Sequence, residues 1–369
     1  MREITEKELN EVLAQYSYLG ELNCKGIYGS GHINNTYLVE YTDREGLAKR
    51  MILQEMNREI FTHPEELMEN IIGVTTYLRK KIEENDGDPE RETLNVIPLG
   101  DGSMFYVDSE GEYWRAYHYI EGATSYDQVE SQEDFYESAV SFGNFQYLLA
   151  DYPAETLHET IPDFHNTKKR FETFKKAVKA DACGRAASVQ KEIEFVLARE
   201  KDAGVFTEML ERKELPLRVT HNDTKLNNIM IDDQTRKGIC VIDLDTVMPG
   251  LAMHDFGDSI RFGASTAAED EVDLDKVSCD MELFEVYVKG FLEGCKGRLT
   301  EKEVEMLPFG AKIMTYECGM RFLTDYLEGD HYFKIHRENH NLDRARTQFK
   351  LVADMEQKWE TMKEIVSRY

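Results

Sequence analysis

The sequence predicts an α+β protein in two lobes, a small β-rich one followed by a larger helical one. Two observations carry that expectation. Strand-like alternation dominates the first 120 residues, and helix-period apolar spacing takes over after Glu121-Gly122. The length, 369 residues, suits two lobes better than one small domain. The expected division is 1–120 and 121–369, with Glu121–Gly122 as the hinge. No internal repeat or low-complexity tract interrupts it.

Thr5 and Glu8 have capping-box spacing, and Leu9, Val12, Leu13 and Tyr16 fall on one helical face, so a helix is expected over Thr5–Leu19. Gly26–Tyr28, Asn35–Glu40 and Lys49–Gln54 alternate as half-buried strands do. Pro64 opens a helix to about Lys81, with Leu67, Ile71, Ile72, Val74 and Leu78 on its inner face. Glu83–Glu90 is polar and rich in breakers, hence a loop. Strands follow over Asn95–Leu99, Ser103–Val107 and Tyr113–Ile120. Beyond the hinge, helices are expected over 131–149, 166–180, 186–211, 281–292, 301–327 and 344–366. Short strands are expected at 217–220, 228–231 and 238–243.

The charge balance excludes some functions. Asp and Glu total 71 against 44 Lys and Arg, a formal net charge of −27. Nucleic acid and anionic membrane surfaces need basic partners, so neither is expected. An anionic ligand must therefore meet locally placed cations. The cysteines at 24, 183, 240, 279, 295 and 318 form no C-x-x-C pair, which removes zinc-ribbon and dithiol readings and suits a reducing cytoplasm. The charged N-terminus carries no apolar signal core, and no apolar run reaches membrane-span length. A monomer or homodimer is equally compatible with these features.

The most informative stretch is Arg218-Val-Thr-His-Asn-Asp-Thr-Lys-Leu-Asn-Asn-Ile-Met-Ile231, followed by Val241-Ile-Asp-Leu-Asp245. It holds His221, Asp223, Lys225 and Asn228 as His-x-Asp-x-Lys-x-x-Asn. Phosphoryl transfer from ATP needs a carboxylate beside the acceptor hydroxyl, and a carboxylate plus an amide oxygen for Mg²⁺. Asp223 fits the first need as catalytic base; Asn228 and Asp243 fit the second as metal ligands. Asp243 ends an apolar strand-like run, where an acidic residue seldom serves packing. Asp245 is a second ligand or orients the loop. Lys225 is within reach of a γ-phosphate, and His221 reads as a structural residue holding the loop.

Two further segments need weighing. Tyr28-Gly-Ser-Gly-His-Ile-Asn-Asn-Thr-Tyr37 lies between two expected strands. Gly29, Ser30 and Gly31, with Asn35, form a turn whose backbone could approach phosphates, although no Walker lysine is present. Asp255-Phe-Gly257 spells a kinase metal motif but stands 32 residues past Asp223 at the start of a helical run. Asp255 and Asp258 are therefore expected to be structural, capping that helix or pairing with Arg261.

These motifs resemble the aminoglycoside phosphotransferase and choline kinase family, and within it the branch that phosphorylates the 1-hydroxyl of N-acetylhexosamines. The likeness extends through Ile52–Asn57, Asp255–Thr266 and Glu317–Asp330, nearly the whole chain. It implies a protein-kinase-like fold, ATP and Mg²⁺ as cofactors, and a sugar as acceptor. It implies that His32, Arg321 and Tyr332 face that sugar. Adenine is expected against the hinge at Tyr119 and Glu121. One departure matters: Gln54 stands where the family pattern puts a phosphate-binding lysine. Lys225 is the expected replacement, and Glu65, Glu66 and Glu69 all compete for the role of helix glutamate. Kinases of choline, homoserine, aminoglycosides or other hexoses share the loop motif, and Gln54 leaves a non-catalytic nucleotide-binding protein as a second alternative.

Overall fold

The computed structural model describes residues 4–29, 33–126 and 131–369. Thr5 caps α1 (Glu6–Ala14) with the expected box: its hydroxyl accepts the Glu8 N–H, and the Glu8 carboxylate accepts the Thr5 N–H. The helix is shorter than its apolar spacing suggested, because residues 17–19 tighten into a 3₁₀ turn before Gly20. Val12 and Tyr16 then seal one face of an antiparallel sheet.

That sheet has strands β1 (Glu21–Ile27), β2 (Asn35–Thr42), β3 (Ala48–Glu55), β4 (Tyr106–Val107) and β5 (Tyr113–His118), in the order β1-β2-β3-β5-β4. β1 begins five residues before its expected start, at Glu21 rather than Gly26. It is an edge strand with no fully buried position, so its alternation is weak in the sequence. The strand expected over 95–99 contributes only a bridge between Val96 and Tyr117. Pro98 lies within it and offers no N–H for a ladder.

Pro64 occupies the first turn of α2 (Pro64–Glu84). The buried face of α2, including Leu67, Ile71, Val74 and Leu78, shares one core with Phe145, Leu148, Val219 and Leu244 from the second half of the chain. The helix is thus packed against both halves. Buried Asn70 fixes the contact, donating to the carbonyls of His158 (2.9 Å) and Val247 (3.1 Å) and accepting the His158 N–H (2.9 Å). After the single turn α3 (Pro89–Glu92) and the sheet, the chain crosses at Gly122 into β6 (Ala123–Thr124).

The remainder is helical around two small sheets. β7 (Arg218–Thr220) pairs with β10 (Met248–Gly250), while β6, β8 (Ile229–Asp232) and β9 (Gly238–Val241) form the other. The first helices are α4 (Gln132–Leu148) and α5 (Thr167–Ala180). The helix expected over 186–211 is divided into α6 (Gln190–Leu197), α7 (Glu200–Ala203) and α8 (Val205–Glu211). Then come α9 (Ala252–Gly263), α10 (Met281–Cys295) and α11 (Glu301–Glu305). α12 (Leu307–Glu328) is separated from α11 at Met306, with Pro308 in its first turn. The last expected helix starts four residues early, as α13 (His340–Gln357), and breaks at Lys358 before α14 (Trp359–Val366).

α4 and α10 cross at unusually close range. A Cβ on Gly143 would come within 2.3 Å of the Phe291 carbonyl, and one on Gly294 within 2.3 Å of the Val140 carbonyl. The six cysteines are all free, and among the described residues no helix is long and apolar enough to cross a membrane.

Candidate active site

β7, locked to β10, delivers the chain to His221 at the end of the larger core. Asn222 then turns with φ 65°, a left-handed conformation that Asn tolerates better than most residues. The turn is held from below by α9. Both oxygens of the buried Asp255 carboxylate receive backbone donors, from His221 N–H (2.9 Å) and Asn222 N–H (2.8 Å), and Gln146 adds a third bond (2.9 Å). Burial raises the Asp255 pKa, and these donors oppose the rise. Asp255 is thus structural, but it neither caps its own helix nor pairs with Arg261. Leu251 is the N-cap of α9, and Asp255 is a strut for the loop. Asp258 does pair with Arg261 (2.8 Å), and it also accepts the Thr224 N–H (3.1 Å).

His221 is walled by Phe142 and Phe145. One ring nitrogen contacts the Ile242 carbonyl (2.8 Å), and the other accepts the Asp223 N–H (3.3 Å). Nε2 thus donates to a carbonyl, which can only accept, and Nδ1 accepts. Its role is to join the loop to the segment carrying Asp243.

Asp223, Lys225, Asn228 and Asp243 gather on this frame. Lys225 Nζ lies 2.7 Å from Asp223 Oδ1. Burial pulls the lysine pKa down, but Asp223 and Asp258 outweigh it and hold the ammonium charged. Asn228 gives its amide N–H₂ to the Asp223 carbonyl (2.7 Å) and more weakly to the carboxylate (3.3 Å), which leaves its amide oxygen for another partner. Asp243 sits at φ 58°, ψ 58° just after β9. Its side chain is open to the cleft but densely flanked by protein. That poor hydration, then Asp245 and Asp223, push its carboxyl up to about 6. Crowded carboxylates beside an amide oxygen are a hard-oxygen donor set of the kind Mg²⁺ takes. Among the described residues no group of three or more His, Cys, Asp or Glu is placed to hold a metal ion. A cation here would therefore draw part of its shell from a ligand.

The sheet supplies the opposite wall. Gly29 has φ 81°, whereas Ser30, Gly31 and His32 lie outside the described residues. Just beyond them Asn34 donates to Asp245 Oδ2 (2.6 Å), and Asn35 to Glu55 (2.6 Å). Gln54 donates to Thr36 (3.1 Å), and its amide oxygen accepts two bonds from Arg115 (3.1 and 3.0 Å). Arg115 lies 2.5 Å from Asp245 Oδ1, and both side chains are almost wholly buried. Asp245 is thereby engaged by two residues of the sheet lobe. The α2 glutamates are occupied elsewhere: Glu65 accepts from Tyr113, and Glu66 and Glu69 face His158. At the hinge, Tyr119 gives its N–H to the Arg50 carbonyl (3.2 Å), while the Glu121 carboxylate pairs with the Arg50 side chain. The Arg50 guanidinium covers the Tyr119 ring at 3.9 Å, and Tyr28 reaches Tyr119 by a hydroxyl contact of 3.1 Å.

Arg321 on α12 lies beyond Asp223. It does not pair with Glu317, four residues earlier on the same helix. Glu317 takes His165 Nδ1 (2.9 Å) and Thr167 (2.5 Å). Burial alone would raise the Glu317 pKa, but these bonds and the charges of His165 and Arg321 bring it to about 2. Arg321 instead contacts the Tyr332 hydroxyl (3.3 Å), amid the rings of Phe164, Tyr332 and Phe333 at 5.4–5.7 Å. Among the described residues no carboxylate lies within ion-pair distance of it. Arg170 stands close enough for the two guanidinium charges to repel. His165 ties this region to the loop through the Asn222 carbonyl (3.3 Å). Buried Asp325 fixes Tyr332 by accepting three consecutive backbone N–H groups, from His331, Tyr332 and Phe333 (2.8–2.9 Å).

Arg115, His165 and Asp325 escaped the sequence reading. Arg115 carried a signal, a charge at the centre of the apolar strand Tyr-Trp-Arg-Ala-Tyr. His165 and Asp325 carried none.

Residues 27–278 match the model of the phosphotransferase enzyme family (APH), more than half of the chain. Among solved structures, an aminoglycoside phosphotransferase from Alicyclobacillus acidocaldarius is 10% identical with a TM-score of 0.62, covering 100% of this chain and 98% of its own. A microcompartment-associated aminopropanol kinase is 18% identical with a TM-score of 0.59, covering 95% and 98%. An amicoumacin kinase bound to AMP-PNP and Ca²⁺ is 12% identical with a TM-score of 0.56, covering 96% of each chain.

Proposed function

The chain belongs to the phosphotransferase enzyme family, with its kinase-like fold, and is a small-molecule kinase of that family; on that premise we propose that it transfers the γ-phosphoryl group of ATP to the 1-hydroxyl of an N-acetylhexosamine. We divide it into a nucleotide-binding lobe, 1–120, and a catalytic and acceptor lobe, 121–369, working in the cytoplasm. The nucleotide lies between the lobes, with its base toward Tyr119–Glu121 and its phosphates toward the glycine-bearing segment at residues 29–31.

One observation carries the choice of acceptor. Arg321 has no carboxylate partner among the described residues and is boxed by aromatic rings, with Arg170 nearby. Aromatic faces suit the apolar side of a sugar ring, and a guanidinium suits a carbonyl or hydroxyl oxygen. Two arginines repel a cationic acceptor. This argues against an amino alcohol or aminoglycoside, which the names of the structural neighbours would otherwise favour.

Asp223 accepts the proton of the attacking hydroxyl as that oxygen bonds to the γ-phosphorus and the bond to the ADP oxygen breaks. The product is a hexosamine 1-phosphate and ADP. Lys225 sits against Asp223 and presents its ammonium where the transferred group arrives. Asn228 and Asp243 would hold Mg²⁺. That ion, when bound, supplies neutralising charge to the phosphates. Asp255 and His221 keep the loop in register with Asp243.

ADP release measured over N-acetylglucosamine, N-acetylgalactosamine, galactose, mannose, choline and homoserine tests the acceptor. An N-acetylhexosamine should give the highest kcat/KM; a choline or homoserine rate well above it sinks the sugar assignment while leaving the kinase assignment intact.

A further inference from the structure

Gln54 removes a positive charge from the strand that ordinarily brings one to the donor's phosphates, yet the sheet has not lost that charge. Arg115 lies directly opposite Gln54 in the β3–β5 register. We propose that Arg115 is the phosphate-contacting cation of the nucleotide site, moved one strand across the sheet, and that Asp245 is the carboxylate that holds it in place. This assignment rests on the nucleotide reading above.

Four observations support it. The Gln54 amide oxygen accepts two guanidinium N–H groups, and its nitrogen gives one N–H to Thr36. It therefore aims Arg115 and brings no charge of its own to a phosphate. The guanidinium has five N–H donors, and Nη1 is buried without a partner among the described residues. Such a donor is costly to leave unpaired, and a phosphate oxygen would satisfy it. The guanidinium is also held against Asp245, two residues past Asp243, which sets it beside the proposed metal position. Finally, the guanidinium is fixed from two sides, by Gln54 across the sheet and by Asp245 at 2.5 Å on the segment after β9.

The pair has an unusual origin. Its cation comes from the sheet lobe and its carboxylate from the segment just after Asp243. Asp245 also receives Asn34, which immediately precedes β2. One carboxylate therefore gathers the phosphate-facing parts of the sheet lobe onto the metal-binding segment.

Affinities for MgATP and for adenosine, measured separately on the full chain, test the assignment. Arg115→Met should weaken MgATP by about tenfold or more, the size of one lost charged phosphate contact, and adenosine by less than about twofold. Gln54→Lys added to Arg115→Met should restore most of the loss, because it returns a cation to the neighbouring strand. A purely structural arginine would weaken both ligands alike and would not be rescued from Gln54; either outcome, or an unchanged MgATP affinity, overturns the proposal. If Arg115→Met does not fold, the ratio of the two affinities in Arg115→Lys decides. A fall of about threefold or more is expected, since lysine cannot reproduce the fork, and an unchanged ratio overturns it. A folded wild type that binds no MgATP would overturn the kinase reading itself, whereas a wild type that binds it beside indifferent Arg115 variants overturns only this assignment.

Discussion

Asp223 combines a part-exposed carboxylate, held by Lys225 and more weakly by Asn228, with a tethered backbone. Its own N–H is held by His221, and the amides before it are held by Asp255. Replacing the carboxylate should therefore remove chemistry without removing shape. Asp223→Asn should lower kcat by about 10²–10⁴-fold, the usual worth of a general base, with MgATP affinity unchanged. A coupled assay and a nucleotide titration read the two, and a kcat within threefold of wild type would falsify the base assignment. Asp255→Ala should act on the frame instead. It leaves two buried amides unpaired, so a stability loss of about 2–5 kcal/mol is expected in urea denaturation. The loop residues could be singled out because they lie within eight positions of one another, and the structure brings Asp223, Lys225 and Asn228 into contact. Arg115 and His165 were not, because the partners that give them meaning, Gln54 and Glu317, lie 61 and 152 residues away.

Elements were legible where one face alone decides the pattern. α2 starts at its Pro64 and α5 within one residue of its expected start, and β2 and β3 follow their alternation. Breaks inside long helical runs were not legible, since the apolar period continues across Arg199, Met306 and Lys358 while the helix stops and restarts there. The α4–α10 crossing was also invisible, because glycines at 143, 290 and 294 read as weak points in a helix. In the structure they let two backbones touch. Gly143→Val should separate the helices and cost about 1–3 kcal/mol by overpacking, measured by chemical denaturation. A change under about 0.5 kcal/mol, the ordinary size for an uncrowded site, would contradict the crossing.

Across the whole molecule, acid should be the weak side. His254, buried and neutral, titrates near 3 when folded against 6.5 ordinarily, and burial followed by repulsion from His165 causes the shift. The unfolded chain therefore binds the extra proton first, and this stability is lost as pH falls from 6.5 toward 3. Glu317, folded near 2 against 4.5, adds a loss between those values. Asp243 acts oppositely: its folded value near 6 exceeds the ordinary 3.8, so its cost builds between those values and is full above pH 6. The urea midpoint should thus change little between about pH 6 and 4.5, where His254 and Asp243 offset each other, and fall below about 4.5; a midpoint at pH 3.5 equal to that at pH 7 would contradict the burial of His254. The net charge of −27 also predicts a melting temperature that rises between about 10 and 150 mM salt, as the Debye length shrinks from about 30 to 8 Å.

The two halves are fastened at separated points. Asn70 joins α2 to the His158 and Val247 carbonyls, Arg115 and Asn34 grip Asp245, and Arg91 links the hinge carbonyl of Glu121 to Asp232. A jaw pinned behind, within and beside its hinge has little freedom to swing. Nucleotide would then enter a cleft already set to its working angle, with little ordering entropy left to lose. Calorimetry should register that as a small entropic penalty on binding, and amide exchange around Glu121 should be nearly as slow with the cleft empty as with it filled.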